Sequence, residues 1–230
     1  DKSFIIKWSE WLYSARNKDG AWGHYANDEN SALFPTCMSL IVLNQSNIQN
    51  HDLTLGYNWI LSEKKEDGWS FGKDSSISEI ATAMAVLTLR GIKDSKDSIF
   101  EKPKVKILQN DLWSTERENQ PGTLWEHCSY MWIFPALMSL DVDPYNKVIA
   151  NGVRNINKYN SNDGWIEPGG GMTVRGQFWA VVAFESIIDS YDPSVDTYQI
   201  DSSISQNALR EPQFVNIFIH SNWAMIIPAK

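Results

Sequence analysis

Three times in 230 residues the chain sets a tryptophan behind an Asp-Gly turn: Asp19-Gly20-Ala21-Trp22, Asp67-Gly68-Trp69 and Asp163-Gly164-Trp165. Pro121-Gly122 keeps the register between the last two. Successive turns lie 48, 54 and 42 residues apart, and eight residues ahead of the first three stands a tryptophan, Trp11, Trp59 and Trp113. A unit recurring at this period is architectural first, because a repeat buries its apolar face only by stacking on its neighbours. Within the unit, Asp can accept from turn N–H groups and Gly can supply a positive φ. The Trp is expected to fold back between helix pairs, its indole N–H on a loop carbonyl. Asp19, Gly20, Trp22, Asp67, Gly68, Trp69, Asp163, Gly164 and Trp165 are thus read as structural staples.

The segments flanking each turn differ in kind. Upstream, SFIIKWSEWLYSARN (3–17) places Phe4, Ile5, Trp8, Trp11 and Leu12 at helical spacing, with Lys7, Glu10 and Arg16 on other faces. Downstream, the runs 36–43, 82–89, 133–140 and 177–184 are apolar nearly all round, which requires enclosure. The expected fold is all-α: an inner layer of buried helices wrapped by an outer layer of amphipathic ones, with Asp-Gly-Trp loops between them.

Eleven tryptophans point to aromatic packing, an aromatic-lined pocket, or both. A net charge of −8 argues against nucleic acid as partner, since phosphate binding needs clustered Lys and Arg. No apolar run reaches the length of a membrane span. Two cysteines, Cys37 and Cys128, build no disulfide framework, so a reducing, cytoplasmic setting is expected.

The pattern W-L-x-x-x-x-x-x-D-G-x-W-G followed by T-x-x-x-L-x-x-L resembles the repeats of squalene and oxidosqualene cyclases and of protein prenyltransferase β subunits. The resemblance covers residues 1–190 and implies an α/α toroid of about four to six helical hairpins, with 191–230 closing or capping the array. It also implies where chemistry would sit. Squalene-type cyclases protonate their substrate from a D-x-D-D motif at the start of an inner helix, and here that place holds Ser78-Glu79-Ile80-Ala81. Asp141-Val142-Asp143-Pro144 is the nearest acidic string, but it follows an inner run and reads as a turn.

Prenyltransferases hold Zn²⁺ with Asp-x-Cys at one inner-helix start and His at a later one. Glu126-His127-Cys128 is similar to the first part, and Ser129, Tyr130 and Trp132 continue the likeness. Zinc would take Glu126, Cys128 and, from the tail, His220, leaving one position open. Two residues apart, Glu126 and Cys128 reach one ion only if the helix begins near Cys128. No His stands near Gly176 in the next inner run, where Arg175 would repel a cation. No cofactor is therefore expected, with zinc the one candidate. Tyr130, Trp132 and Trp179 are the aromatics that could line a ligand cavity or stabilise a carbocation.

Gly169-Gly170-Gly171 lacks the Lys of a phosphate loop and reads as a turn, and His24 and His51 fall in polar loops. Two functions follow from different premises. Lacking an acid and a complete zinc triad, the chain reads as a non-catalytic domain binding a protein partner or an apolar, isoprenoid-like molecule. The repeat resemblance and the aromatics support the alternative, an isoprenoid cyclase or prenyltransferase.

Overall fold

A computed structural model describes residues 2–46, 51–109, 124–146, 148–150, 152, 160–161, 164–165, 182–183 and 186–187; for 2, 3, 124–130, 160, 161, 164 and 165 it describes the backbone alone. The described part is helical apart from one short antiparallel pair. The chain divides into two compact units, Asp1–Ile107 and Leu108–Ala229.

In the first unit, α1 (Lys2–Ser14), α2 (Leu33–Gln45), α3 (Thr54–Ser62) and α4 (Glu79–Leu89) form two helical hairpins, followed by a 3-10 turn (Ser98–Phe100) and α5 (Glu101–Leu108). Helix α2 packs on α1, α3 and α4. The prolines of α2 and α5, Pro35 and Pro103, sit at the third helical position, where no intrahelical N–H is needed. Glu101 and Lys106 stand at the ends of α5 that the helix dipole favours.

Both hairpins solve the same local problem in the same way. An α-helix ends with carbonyls that lack intrahelical donors. In α1 and α3 a serine adds a second donor to a carbonyl that the C-cap N–H already reaches: Ser14 Oγ donates to Trp11 O at 2.7 Å beside Ala15 N at 3.0 Å, and Ser62 Oγ donates to Trp59 O at 2.8 Å beside Glu63 N at 3.1 Å. The loop tryptophan takes the next: Trp22 Nε1 donates to Leu12 O and Trp69 Nε1 to Ile60 O, both at 2.7 Å. The acceptor thus belongs to the outer helix itself, where a loop carbonyl was expected. The same tryptophan is clamped to the inner helix through its backbone, since Trp22 N donates to Thr36 Oγ1 and Trp69 N to Thr82 Oγ1, each at 3.0 Å. Both tryptophans are buried, Trp69 completely. One residue therefore caps the helix before it and pins the helix after it.

The two glycines do different work. Asn17 N donates to Ala21 O in the first loop, and Lys65 N donates to Gly68 O in the second. The equivalent of Gly68 is thus Ala21; the first loop carries one extra residue, and Gly20 fills it. Gly20 has φ +87°, as expected, and a Cβ there would fall 2.2 Å from Leu55 Cβ. Gly68 has no such φ, contrary to expectation; a Cβ there would lie 2.4 Å from Thr82 Oγ1, so its role is close approach to the clamping threonine. Asp19 behaves as expected, accepting from Ala21 N at 3.1 Å and from Ser31 Oγ at 2.7 Å. Asp67 accepts no turn N–H among the described residues; its carboxylate lies 4.0 Å from Lys102 Nζ.

The layers are partly as expected. Every residue from Ala81 to Leu89 is buried, so α4 is enclosed beyond its first two residues, its threonines bonding back to the helix through Thr82 Oγ1 to Ser78 O and Thr88 Oγ1 to Met84 O. Helix α2 buries Leu33, Thr36, Cys37, Ser39, Leu40 and Leu43 but leaves Phe34 and Val42 exposed.

The second unit, taken by itself, contains α6 (Leu124–Ser139), buried from Met131 to Leu137, and a pair of two-residue strands, β1 (Asn160–Ser161) and β2 (Gly164–Trp165), in register Asn160 to Trp165. Of the run 177–184, Val182 and Ala183 are described, and both are helical and buried. Asp163 lies outside the described residues, as do the side chains of Gly164 and Trp165.

Candidate functional site

The place where the resemblance would put a cyclase acid is the N-terminus of α4. Ser78 is its N-cap and accepts from Ala81 N at 3.4 Å, and Glu79 pairs with Lys106 Nζ at 3.2 Å. Both side chains are thus engaged in holding α4 and α5. The nearest acidic string also has a structural occupation: Asp143 Oδ1 accepts from Tyr145 N at 2.9 Å in the turn after α6, and Val142 is buried.

The zinc reading meets a backbone obstacle. Helix α6 begins at Leu124, so Glu126 and Cys128 both lie within it, roughly 200° apart around the axis, and do not share a face. The condition that the helix begin near Cys128 is not met. The side chains of Glu126, Cys128 and Tyr130 lie outside the described residues, as do Trp179 and His220 altogether. Trp132 is described and is buried in the second unit at 6% exposure. Among the described residues no group of three His, Cys, Asp or Glu is placed to hold a metal ion.

Cys37 is buried against α4, where it shares a hydrogen bond with Thr88; burial pushes its thiol up to about 12, which keeps it protonated and unreactive. His24 is exposed, as its polar loop suggested. His51 is not simply solvated: its ring stacks on Tyr13 at 4.1 Å, Arg16 covers the Tyr13 ring at 3.8 Å, and His51 Nδ1 is buried without a partner.

The feature that sequence reasoning missed is on α1. The sequence put this helix in the outer, less buried layer without saying what its apolar stripe faces. Phe4 is 62% exposed, Trp8 51% and Trp11 50%, and the buried position between them is Ser9. The three rings form a chain of edge-to-face contacts, Phe4 to Trp8 and Trp8 to Trp11, each with centroids 5.7 Å apart. The sequence carried the spacing of this stripe but no signal of what covers it.

Hairpin two shows which side of hairpin one is involved. Its face against hairpin one includes Gly56 on α3, whose Cβ would lie 2.9 Å from Gly20 O and 3.3 Å from the Trp22 ring, and Thr88 on α4, bonded to Cys37. The shared bonds set Leu12 equivalent to Ile60 and Thr36 equivalent to Thr82. By that register Gly56 corresponds to Trp8, Met84 to Met38 and Thr88 to Val42. Thr88 and Met84 are buried, whereas Val42 is 45% exposed and Trp8 half exposed. The outward edge of hairpin one is an apolar face running from α1 to α2.

Among the described residues no helix is long and apolar enough to cross a membrane. No protein-family model and no curated protein matches the chain.

Proposed function

We propose that this protein is a non-catalytic helical-repeat domain, built like the hairpins of terpenoid cyclases and prenyltransferases, that binds a protein partner or an apolar, isoprenoid-like molecule. The observation that carries this reading is the exposed aromatic face of α1. Soluble domains seldom leave three neighbouring large aromatics in water, and contiguous apolar surface of this kind marks an interaction site. The occupations of Ser78, Glu79 and Asp143 support it, because each stands where catalytic acid is sought and each is held in a cap, a salt bridge or a turn.

The test sets this reading against the isoprenoid enzyme. Purified protein is incubated with squalene, and with prenyl diphosphates plus a cysteine peptide, and the mixtures are analysed by mass spectrometry; metal content is measured after dialysis. The expected outcome is no cyclised product, no prenylated peptide and no stoichiometric zinc. About one zinc per chain, lost on Cys128→Ser, or turnover of either substrate, overturns the reading.

A further inference from the structure

The same turn dipeptide occurs in both hairpins of the first unit, and its two copies are held differently. Asp19 and Asp67 are both exposed, and Gly20 and Gly68 are both buried, so burial does not distinguish them. Hydrogen bonding does. In the first turn Gly20 N donates to Asn17 O at 2.9 Å, and the Asp19 carboxylate accepts from Ala21 N and from Ser31 Oγ. In the second, Gly68 N has no acceptor among the described residues, and the Asp67 carboxylate accepts no hydrogen bond there. Lys102 Nζ, 4.0 Å from Asp67, bonds Glu66 at 2.6 Å instead.

These are the two groups that react with each other in an Asp-Gly sequence. The amide nitrogen attacks the side-chain carboxyl carbon, the N–H and C–OH bonds break, and one water leaves a five-membered succinimide. Water then opens the ring at either carbonyl. One opening returns aspartate; the other gives isoaspartate, in which the backbone runs through the side-chain methylene. Glycine favours the attack because no Cβ hinders the nitrogen and the backbone turns freely. A nitrogen that donates to a carbonyl must first give that bond up, and a carboxylate held by two donors must leave both. We propose that Asp67-Gly68 is a site of spontaneous isoaspartate formation, that Asp19-Gly20 is protected from it, and that conversion at Asp67 releases the Trp69 staple.

The release follows from the space around Gly68. Lys65 N donates to Gly68 O at 2.8 Å across Glu66 and Asp67, and Trp69 N donates to Thr82 Oγ1 at 3.0 Å directly after. A single carbon added on Gly68 would already meet Thr82 Oγ1 at 2.4 Å. Isoaspartate lengthens the chain between Lys65 and Gly68 by one carbon. The turn bond and the threonine clamp cannot both survive that insertion, and the clamp is what fixes the buried Trp69 to α4.

Ageing the purified full chain at neutral pH and body temperature tests this. Trypsin releases residues 66–73 as one peptide and 19–64 as another, so the two turns are read separately. Isoaspartate is scored by methyl transfer from S-adenosylmethionine with an isoaspartyl carboxyl methyltransferase, and the succinimide by its loss of one water in mass spectrometry. The expected result is about tenfold or more isoaspartate at Asp67 than at Asp19, the rate equivalent of roughly one to two net hydrogen bonds. Aged parent should also contain a fraction that unfolds at lower urea. Asp67→Glu, which keeps the charge and cannot close the five-membered ring, should lack that fraction. Freshly prepared, it should unfold with the parent, since the Asp67 side chain is half exposed. Asn151-Gly152 and Asp163-Gly164 lie on other tryptic peptides and age equally in parent and variant, so they do not enter the comparison. Equal modification of the two turns, or none at Asp67, overturns the assignment. Isoaspartate at Asp67 with an unchanged urea transition overturns its coupling to Trp69.

Discussion

Replacing Trp69 separates the two tasks this residue performs. Trp69→Ala removes a completely buried indole, the largest fully enclosed side chain in the described structure. Aromatic truncations in a core cost about 3–5 kcal/mol, through lost burial and the cavity left behind. A second loss is included in that figure when the site stays dry: Ile60 O, which takes Trp69 Nε1 at 2.7 Å, loses its donor near the end of α3. An unsatisfied buried acceptor costs about 1–3 kcal/mol. Trp69→Phe therefore isolates the cap, since it keeps most of the ring and deletes the N–H; about 1–3 kcal/mol is expected. Small domains hold about 5–15 kcal/mol in total, so the alanine variant should be visibly destabilised and the phenylalanine variant intermediate. Urea unfolding followed by circular dichroism measures both, the shift appearing in the midpoint at constant slope. If Trp69→Ala unfolds within about 0.5 kcal/mol of the parent, as an ordinary surface substitution does, the tryptophan is no staple and the explanation of the repeated loops fails.

The clamping threonine should behave as a hydrogen-bonding residue: Thr82→Val keeps the shape, leaves Trp69 N–H buried without an acceptor and is expected to cost about 1–3 kcal/mol, whereas Thr82→Ser should recover most of it in the same urea assay. Both loop glycines should resist alanine for different reasons, with Gly68→Ala losing about 1–3 kcal/mol by overpacking against Thr82 and Gly20→Ala losing at least about 1–2 kcal/mol from its left-handed φ before the clash with Leu55 is counted. If Gly68→Ala proves neutral, the close-approach role is wrong. Acid should destabilise the fold. The carboxyls of Asp28, Asp52 and Asp97 are held below their ordinary 3.8, first by the N–H groups of Asn30, Thr54 and Ile99 respectively, and Lys102 holds Glu66 below 4.5. A depressed folded-state pKa gives stability that is complete above the unfolded value and lost as pH falls through the folded one, so the urea midpoint should decline as pH drops below about 4 and be flat above about 6. A midpoint that rises on acidification contradicts these assignments.

What the sequence disclosed and what it hid divide along physical lines. The helices followed from periodicity, and the burial of 81–89 followed from a run with no charge on any side. The role of Trp22 and Trp69 followed from recurrence, although the identity of the acceptor did not, because recurrence fixes the place of the indole and not which carbonyl of the last helical turn it reaches. The glycines misled because Asp-Gly was used as the alignment anchor, whereas the conserved geometry lies between the tryptophan and the threonine. Counted back from Trp22 and Trp69, the first turn is one residue longer, and of the two turn glycines Gly20 is the one with positive φ. The pairing of Glu126 with Cys128 depended on where α6 begins, and apolar content alone does not mark the first residue of a helix.

The amphipathic stripe of α1 shows a different limit. Periodicity says that a helix has an apolar face; it does not say what lies opposite. Within a repeat array the missing information can be recovered from the neighbouring copy of the repeat. Hairpin two reports the burial that each position has when a hairpin lies in front of it, and hairpin one reports the same positions where none of the described helices of its unit does. The comparison of Val42 with Thr88 shows an edge that the described residues leave exposed, and the comparison of Trp8 with Gly56 shows that the edge has been reshaped. A bare edge alone would be a repeat waiting for its neighbour. Substituting the largest side chain for the smallest at the point of closest approach changes the partner the face can accept. That substitution, more than the exposed area, sets the outward face of α1 apart from that of α3.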